Sequence, residues 1–446
     1  MTARLSILLS LWLIGAATPA SADTLPDGLS VSGSVRLRAE AIENQGRTGF
    51  NADDSLVNLR TQIKVAWKHE NLRLVTEVYD SRVWGANSGT PLTTNEVNAF
   101  EPVQAYLQAD LGNMLGKGTA TQVQAGRFTL DLGSRRLVSN DDYRNSTTGF
   151  TGIRADVVRG ATKATLIYVL PQIRLPDDGT SLRKNAVEID KESFATVLWG
   201  GMVARQSAPG GNLVEAVFLH FGERDSPGHA TRDRSLNNLG LRVIREPAAG
   251  RFDWGLEGIY QWGQISASLT PRDELLPVSA TFGRAHLGYS FATRWRPRAL
   301  LELDRASGDG TGHTYSRFDP LFGMRRGDFA PGGLYSAISR SNLFSPGIRL
   351  EVTPTKRLDA FVGYRALWLA DSHDAFSTTG VKDVTGGSGS FAGHQIDFRL
   401  RDWLIVSKLR LEIDGVYLAR ERFLTSAPNG RKGDVRYASC NLTGYF

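Results

Sequence analysis

Apolar and polar residues alternate along many short stretches of this chain. Between positions 29 and 41 one face is small or apolar and the other is polar throughout. Residues 433–446 follow the same period, with Ala438, Cys440, Leu442, Gly444 and Phe446 on one face and Tyr437, Ser439, Asn441, Thr443 and Tyr445 on the other. A two-residue period predicts β-strands with one apolar and one polar face.

The pattern recurs often enough to predict about eighteen strands. They start near positions 29, 56, 72, 102, 120, 151, 161, 193, 212, 236, 251, 280, 297, 343, 357, 391, 404 and 434. Short turns, such as Lys68–Asn71 and Arg401–Trp403, alternate with long loops, such as Arg135–Thr151 and Arg305–Asn342. A soluble sandwich gives no reason for two classes of connection. The sequence therefore predicts an all-β transmembrane antiparallel barrel with short periplasmic turns and long extracellular loops.

The first residues indicate export. Arg4 precedes an apolar stretch from Leu5 to Ala17, and the small residues Ala20 and Ala22 follow it. This is the order of a cleaved signal peptide, and the stretch is too short for a spanning helix. We therefore predict a signal peptide over 1–22, a barrel over 23–446 and a location in the bacterial outer membrane.

Composition narrows the function further. Of 52 basic residues ten are Lys, which leaves 52 − 10 = 42 Arg, spread among 46 carboxylates. A dispersed and balanced charge on an exported chain argues against nucleic acid as a partner. Arg suits the flat, two-oxygen geometry of carboxylates. Cys440 is the one cysteine, so a disulfide framework and a Cys-rich metal site are excluded, and no cofactor is expected.

If the apolar faces meet lipid, the polar faces line an aqueous lumen, and basic side chains there favour anions. The predicted lining cations are Arg36, Arg38, Arg60, Lys64, Arg127, Arg154, Arg349, Arg365 and Arg399, and the alternation also places Arg242, Arg284 and Arg410 on inward faces. The predicted pore carboxylates are Glu77, Asp131, Asp304 and Asp397.

Three runs in the first third of the chain carry a resemblance to a known family. Gln124–Leu137, Asp142–Ser146 and Phe150–Arg154 resemble the glycine- and arginine-bearing motifs of the alginate-export porins, and weaker matches follow in order along the chain. The resemblance implies an eighteen-stranded barrel that passes an anionic polyuronate outward through an Arg-lined constriction, with periplasmic export partners. Tyr143 stands where the family usually has Trp and Phe128 where it has Gln, so the substrate stays open.

Other functions fit parts of the pattern. A general or anion-selective diffusion porin shares every feature of the barrel. A barrel-embedded hydrolase would need a nucleophile with a positioned base, yet neither Gly-x-Ser-x-Gly nor His-Glu-x-x-His occurs, so we expect no catalysis. A structural or adhesive barrel would use its loops outside. For the longest loop, Arg305–Asn342, we predict an inward fold that plugs the lumen.

Overall fold

A computed structural model describes residues 26–140, 142–208 and 210–446. The predicted signal peptide, 1–22, lies outside the described residues. The described chain forms eighteen antiparallel strands, each paired with its neighbours in sequence, and the first and last strands pair to close the barrel.

The first half of the wall is built from nine strands. They are β1 Leu29–Glu43, β2 Asp54–His69, β3 Leu72–Trp84, β4 Asn98–Gly112, β5 Thr119–Phe128, β6 Phe150–Arg159, β7 Thr162–Pro171, β8 Thr196–Gln206 and β9 Asn212–Glu223. The second half continues the same meander. Its strands are β10 Ser235–Arg245, β11 Arg251–Ser266, β12 Leu275–Ser290, β13 Arg298–Ala306, β14 Leu343–Val352, β15 Leu358–Trp368, β16 Phe391–Ile405, β17 Leu409–Arg420 and β18 Val435–Tyr445.

Connections alternate strictly in length around the barrel. Every connection after an odd strand is longer than any after an even strand. The longer connections are 44–53, 85–97, 129–149, 172–195, 224–234, 267–274, 307–342, 369–390 and 421–434, and the shorter ones are 70–71, 113–118, 160–161, 207–211, 246–250, 291–297, 353–357 and 406–408. The predicted barrel with two classes of connection is confirmed. Two one-turn helices, α1 Gly179–Arg183 and α2 Arg422–Ser426, lie in the longer connections.

One predicted turn is wrong. Residues Arg401–Trp403 belong to β16, and the turn falls at 406–408. The strand continues because Arg401 pairs in register with Asp359 of β15, and its Nε lies 3.2 Å from both carboxylate oxygens of that residue. A charged pair across two strands stabilises the ladder where the sequence alone indicates a polar turn.

The two faces of the wall divide as the alternation predicts. Leu37 on β1 is half exposed on the outer face, whereas its neighbours Arg36 and Arg38 are almost fully buried inside. Leu442 of β18 lies opposite Leu37 in the outward phase, and Asn441 and Thr443 are buried. Outward apolar side chains meet hydrocarbon, where a strand with all its backbone groups paired is stable. No helix among the described residues is long and apolar enough to span a bilayer.

The closing seam joins β1 to β18 from Ser34 to Glu43. Val35 lies opposite Gly444, and Glu43 lies opposite Arg436. Below this register the Gly33 N–H donates to the Phe446 carbonyl at 2.9 Å, and the Phe446 N–H donates back to Gly33 at 3.1 Å. No edge strand remains open along the seam.

Two of the long connections fold into the lumen. We call residues 129–149 the first inner segment and 307–342 the second inner segment. They are joined by backbone hydrogen bonds, from the Phe322 N–H to the Leu137 carbonyl at 2.9 Å and from the Met324 N–H to the Arg135 carbonyl at 3.1 Å. Phe322 packs edge-on against the wall residue Phe150, with ring centroids 5.4 Å apart. The inward fold predicted for Arg305–Asn342 is confirmed; the first inner segment was predicted only as a long loop.

Candidate functional site

Three of the predicted lining arginines face inward and bind the first inner segment. Arg36 of β1 donates to the carbonyls of Asp142 and Arg144, both at 2.7 Å. Arg60 of β2 donates to the same two carbonyls at 2.9 and 3.0 Å. Arg38 donates to the Tyr143 carbonyl and stacks 3.9 Å from the centroid of the Tyr143 ring. These guanidinium groups therefore hold a loop in place in addition to facing the lumen.

The surroundings of this contact determine the protonation states of Asp142 and Tyr143 in the first inner segment. Burial would raise the pKa of Asp142, but Arg60, whose Nη2 donates to its Oδ1 at 2.8 Å, and Arg36 outweigh that effect and hold the pKa below its usual range. Burial raises the pKa of the Tyr143 phenol, which therefore stays neutral. Asp142 accordingly adds a fixed negative charge among the wall arginines.

The second inner segment is anchored through a buried carboxylate, Asp328. Arg136 of the first inner segment binds both Asp328 oxygens at 2.7 Å, and Arg340 donates to the same carboxylate. Arg284 of the wall lies 3.6 Å away. Burial would raise the pKa of Asp328, but Arg136, Arg284 and Arg340 hold it well below its usual range. One carboxylate thus ties both segments to the wall.

Predicted residues Arg365 and Asp304 belong to the same network. Arg365 of β15 donates to Asp304 of β13 at 2.9 Å and to Glu302 at 2.7 Å. Arg284 also binds Asp304, at 2.7 Å. Arg349 lies 3.7 Å from Glu302. Each of these three arginines lies within 4 Å of a buried carboxylate, so the network stabilises the interior of the barrel and presents little free positive charge.

Inward-facing Asp397, also predicted, is buried on β16 next to Gln395, 3.4 Å from its amide nitrogen. Tyr335 of the second inner segment donates to the same Gln395 at 2.5 Å. Asp397 therefore lies under the inner segment and is not open to the cavity described next.

An open cavity remains beside β16, β17, β18 and β1, with a volume of about 220 Å³. Its walls come from both inner segments and the barrel. They are Arg36, Arg135, Asp142, Tyr143, Met324, Arg326, Gly327, Arg399, Arg401, Arg410, Glu412, Asn441 and Thr443. Six arginines thus face two carboxylates. The Nε atoms of Arg36, Arg399 and Arg410 are buried and lack an acceptor among the described residues.

The cavity arginines are held by rings and by shared carboxylates. Arg410 lies 5.7 Å from the Trp403 ring centroid and 5.5 Å from that of Tyr445. Arg326 donates to Glu412 at 3.0 Å and to Asp414. Rings orient a guanidinium without neutralising it. We call this space the arginine cavity.

Of the cations predicted to face inward, Arg36, Arg399 and Arg410 line the arginine cavity. Arg127 was predicted to line the lumen, and the structure corrects this. It lies opposite the outward-facing Ala105, and its Nη2 binds Glu192 of the 172–195 connection at 2.6 Å. Its Nη1 also binds Glu101. Arg127 therefore anchors the 172–195 connection to the wall.

The remaining predictions divide between wall and loop. Arg154 pairs with Asp156 at 2.7 Å on the same strand. Lys64 is half-buried on the inward phase, and Glu77 accepts from Gln104. Asp131 does not lie on a strand, because β5 ends at Phe128; it binds Arg135 at 2.8 Å within the first inner segment.

Three cavity arginines were not predicted to face the lumen. Arg401 has the same alternation phase as Arg399 and was lost to the misplaced turn. Arg135 and Arg326 lie on the inner segments, where no strand period shows which way a side chain points. Alternation could have found Arg401, and no sequence signal marks the other two.

A second hollow, of about 270 Å³, lies by strands β10–β13. Its charged lining includes Arg136, Arg242, Arg245, Glu246, Glu257, Arg284, His286 and Arg298. Arg242 binds Glu215, Arg136 binds Glu257, and Arg298 binds Asp253 at 3.0 Å. We call this the paired hollow, because most of its arginines already have carboxylate partners.

Comparison with known proteins gives a family and a fold. The sequence profile described as "Alginate export" matches residues 27–434. No curated protein matches the chain significantly. Similar solved structures are outer-membrane channels: a BenF-like porin from Pseudomonas fluorescens Pf-5 (9% identity, 95% of this chain and 100% of that one, TM-score 0.61), OccK2 (OpdF) from Pseudomonas aeruginosa in complex with glucuronate (11%, 94% and 96%, 0.60) and OccAB1 from Acinetobacter baumannii (11%, 93% and 96%, 0.58).

Proposed function

Because this chain belongs to the alginate-export family of outer-membrane porins, we propose that it conducts an anionic polysaccharide or uronate oligosaccharide, alginate-like in chemistry, through the arginine cavity. Passage is passive and needs neither catalysis nor a cofactor. In this proposal the barrel lies in outer-membrane lipid and receives its substrate from periplasmic export partners.

The observation that carries the proposal is the unbalanced charge of the arginine cavity. Six guanidinium groups and two carboxylates, Asp142 and Glu412, line it. Three more carboxylates lie behind the lining, where Asp131 binds Arg135, Asp414 binds Arg326, and Asp359 is shared by Arg399 and Arg401. Three buried Nε donors have no acceptor among the described residues. A carboxylate oxygen supplies the missing acceptor, and hydrogen bonds to charged groups are worth about 1.5–3 kcal/mol each. Several such sites in one cavity give a passenger contacts that it can exchange one at a time.

The solved structure of OccK2 supports uronate chemistry, since that channel holds glucuronate. The likeness extends over the barrel at 11% identity, so the ligand of that protein guides the choice of probe for this one. A uronate is a sugar ring with one carboxylate, which matches a small cavity rich in guanidinium groups.

A diffusion porin for small anions is the second candidate, and the filled lumen favours it. The two inner segments are joined to each other and to the wall, and the cavity between them measures about 220 Å³. A polymer passes only if an inner segment moves, whereas a small anion needs less displacement.

Single-channel recording with an added oligouronate tests the proposal. We expect the oligouronate to block the open-channel current, and a neutral oligosaccharide of equal length to leave it unchanged. Changing Arg399→Gln and Arg410→Gln together should weaken the block about tenfold or more, because charge-assisted hydrogen bonds are lost. Arg436→Gln is the charge control, since Arg436 is exposed on the outer face of β18.

The outcomes separate the candidates. Chloride-selective current with no block by oligouronate would favour the diffusion porin. Current without anion preference would overturn both. A block that Arg436→Gln weakens as much as the double variant would place recognition outside the arginine cavity.

A further inference from the structure

Among the described residues, the outer surface of the barrel carries two apolar hollows. The smaller, of about 510 Å³, lies over β10–β13. The larger has a volume of about 530 Å³ and spans β11 to β16. In the strand register Tyr289, Ala299, Leu350 and Val362 form one row, and Leu287, Leu301, Ile348 and Tyr364 form the row above it. Ala299 is the small member of its row, so a depression opens between Tyr289 and Leu350.

Backbone forms much of the floor of this hollow. Gly288, Leu300 and Gly363 line it through their backbone, because these three positions lie on the inward phase between the outward residues of each row. Aromatic rings stand at one end: Phe252 lies 4.8 Å from Tyr289, and Tyr289 lies 4.8 Å from Phe291, between ring centroids. The result is a slot with a flat floor and a ring cluster beside the short turns, where interfacial aromatics are usual.

Unpaired cations lie directly below the slot. The turn 291–297 carries exposed Arg294, Trp295 and Arg296, and the turn 353–357 carries exposed Lys356. A hydrogen bond of 2.9 Å from the Thr353 N–H to the Trp295 carbonyl holds the two turns together. Arg294, Arg296 and Lys356 pair with no carboxylate among the described residues, and no other short turn has more than one basic residue.

The spacing suits a lipid. Arg296 precedes Ala299 by three residues, which is about 10 Å along a strand. The headgroup layer of a bilayer is about 5–8 Å thick on each side, so Ala299 lies at the upper acyl chains when the turns lie at the phosphates. Short turns face the periplasm in outer-membrane barrels.

We propose that the outer face of β11–β16 is a binding site for one anionic phospholipid of the periplasmic leaflet. An acyl chain lies in the slot over Ala299, between Tyr289 and Leu350, and the headgroup phosphate binds Arg294, Arg296 and Lys356. This site is independent of the conducted passenger, since it lies on the opposite side of the wall from the arginine cavity.

Native mass spectrometry of the detergent-purified barrel tests this, with equal amounts of phosphatidylglycerol and phosphatidylethanolamine added. We expect one phosphatidylglycerol to be retained preferentially. The triple variant Arg294→Gln, Arg296→Gln, Lys356→Gln should lower its retention at least fivefold, and Ala299→Phe should lower retention of both lipids by filling the slot. Both sets of residues are exposed, so the barrel should still fold.

Two matched controls accompany these variants. Lys117→Gln, Arg159→Gln and Lys408→Gln together remove three basic residues at other short turns, and Ala125→Phe adds a ring to the outward face of β5. Neither should change lipid retention. If the triple control lowered phosphatidylglycerol retention as much as the triple variant, the binding would depend only on general surface charge. If Ala299→Phe left lipid retention unchanged, no acyl chain would lie in the slot. Either result would overturn the site. If the purified protein were a dimer and Ala299→Phe made it monomeric, a second copy of the chain would occupy the slot. That result would also overturn the lipid site.

Discussion

The arginine cavity and the paired hollow hold similar numbers of arginines but differ in what those arginines bind. In the paired hollow Arg136, Arg242 and Arg298 each have a carboxylate partner. In the arginine cavity Arg399 and Arg401 share one carboxylate, Asp359, and the Nε atoms of Arg399 and Arg410 are buried without an acceptor among the described residues. The number of arginines on a lumen wall therefore does not identify an anion path.

The difference has an energetic basis. Two buried opposite charges that are fully paired offset each other's desolvation, and losing one partner is costly. Such pairs stabilise the interior and leave little field for a passing ion. Guanidinium groups that share a carboxylate around open space, as Arg399 and Arg401 share Asp359, keep part of their field and attract anions. Position and pairing together decide which arginines serve stability and which serve conduction.

Removing Asp328 should give the largest effect, because this carboxylate ties both inner segments to Arg284 of the wall. Asp328→Asn leaves Arg136 and Arg340 buried without their charged partner, and breaking a buried pair costs about 3–5 kcal/mol. We expect a lower unfolding temperature, faster proteolysis within 307–342 and a severalfold higher conductance. Asp177→Asn, at an exposed loop position, is the control. Unchanged conductance with intact segments would contradict the anchoring role.

A pair of single substitutions tests the comparison itself. Arg410→Gln should lower the chloride-to-potassium permeability ratio severalfold, measured from reversal potentials in a salt gradient, with little loss of stability. Arg242→Gln should do the opposite, because it leaves Glu215 without its partner, and we expect a loss of about 1–3 kcal/mol in unfolding free energy with a smaller change in selectivity. Equal effects on both readouts would mean that the two hollows do not differ in kind.

The smallest effect concerns pH. Arginines stay charged up to high pH, so selectivity should be flat between pH 5 and 8. Asp190, in the 172–195 connection, is different because burial raises its pKa to about 6. A carboxyl with a raised folded-state pKa contributes stability that is complete below its unfolded pKa of about 3.9 and is lost as pH rises through 6.

Hydrogen exchange can measure this change at the Leu175 N–H, which donates to Asp190 Oδ1 at 2.9 Å. We expect more protection at pH 5 than at pH 7, after correction for the intrinsic rate. Asp190→Asn should flatten the profile, and Asp177→Asn should not. A selectivity that follows the same profile would show that the rim, as well as the arginine cavity, selects ions.

Alternation alone predicted the wall, because a strand between lipid and a wet lumen must change polarity at every residue. The strand count, the two classes of connection and the faces of β1 and β18 all follow from it. It failed at Arg401, where a cross-strand pair with Asp359 extends β16 through a polar stretch. Local polarity does not distinguish a turn from a ladder held by charges.

The site was predicted only in part. Alternation shows that Arg36 and Arg60 face inward, and it does not show that loop carbonyls occupy them. Arg135 and Arg326 reach the cavity from the inner segments, whose path depends on contacts between residues far apart in sequence, such as Phe322 with Leu137. Long-range packing of this kind has no period that the chain could display.

The seam between β1 and β18 also bears on how the protein is assembled. Arg38 of β1 donates to Asn441, 403 positions later, and to the Tyr143 carbonyl of the first inner segment. One side chain thus joins the earliest strand, the latest strand and the loop between them. Contacts so distant in sequence form slowly. The barrel cannot close until β18 is in place beside β1. The same closing contact, through Arg38, also fixes the position of the first inner segment inside the lumen.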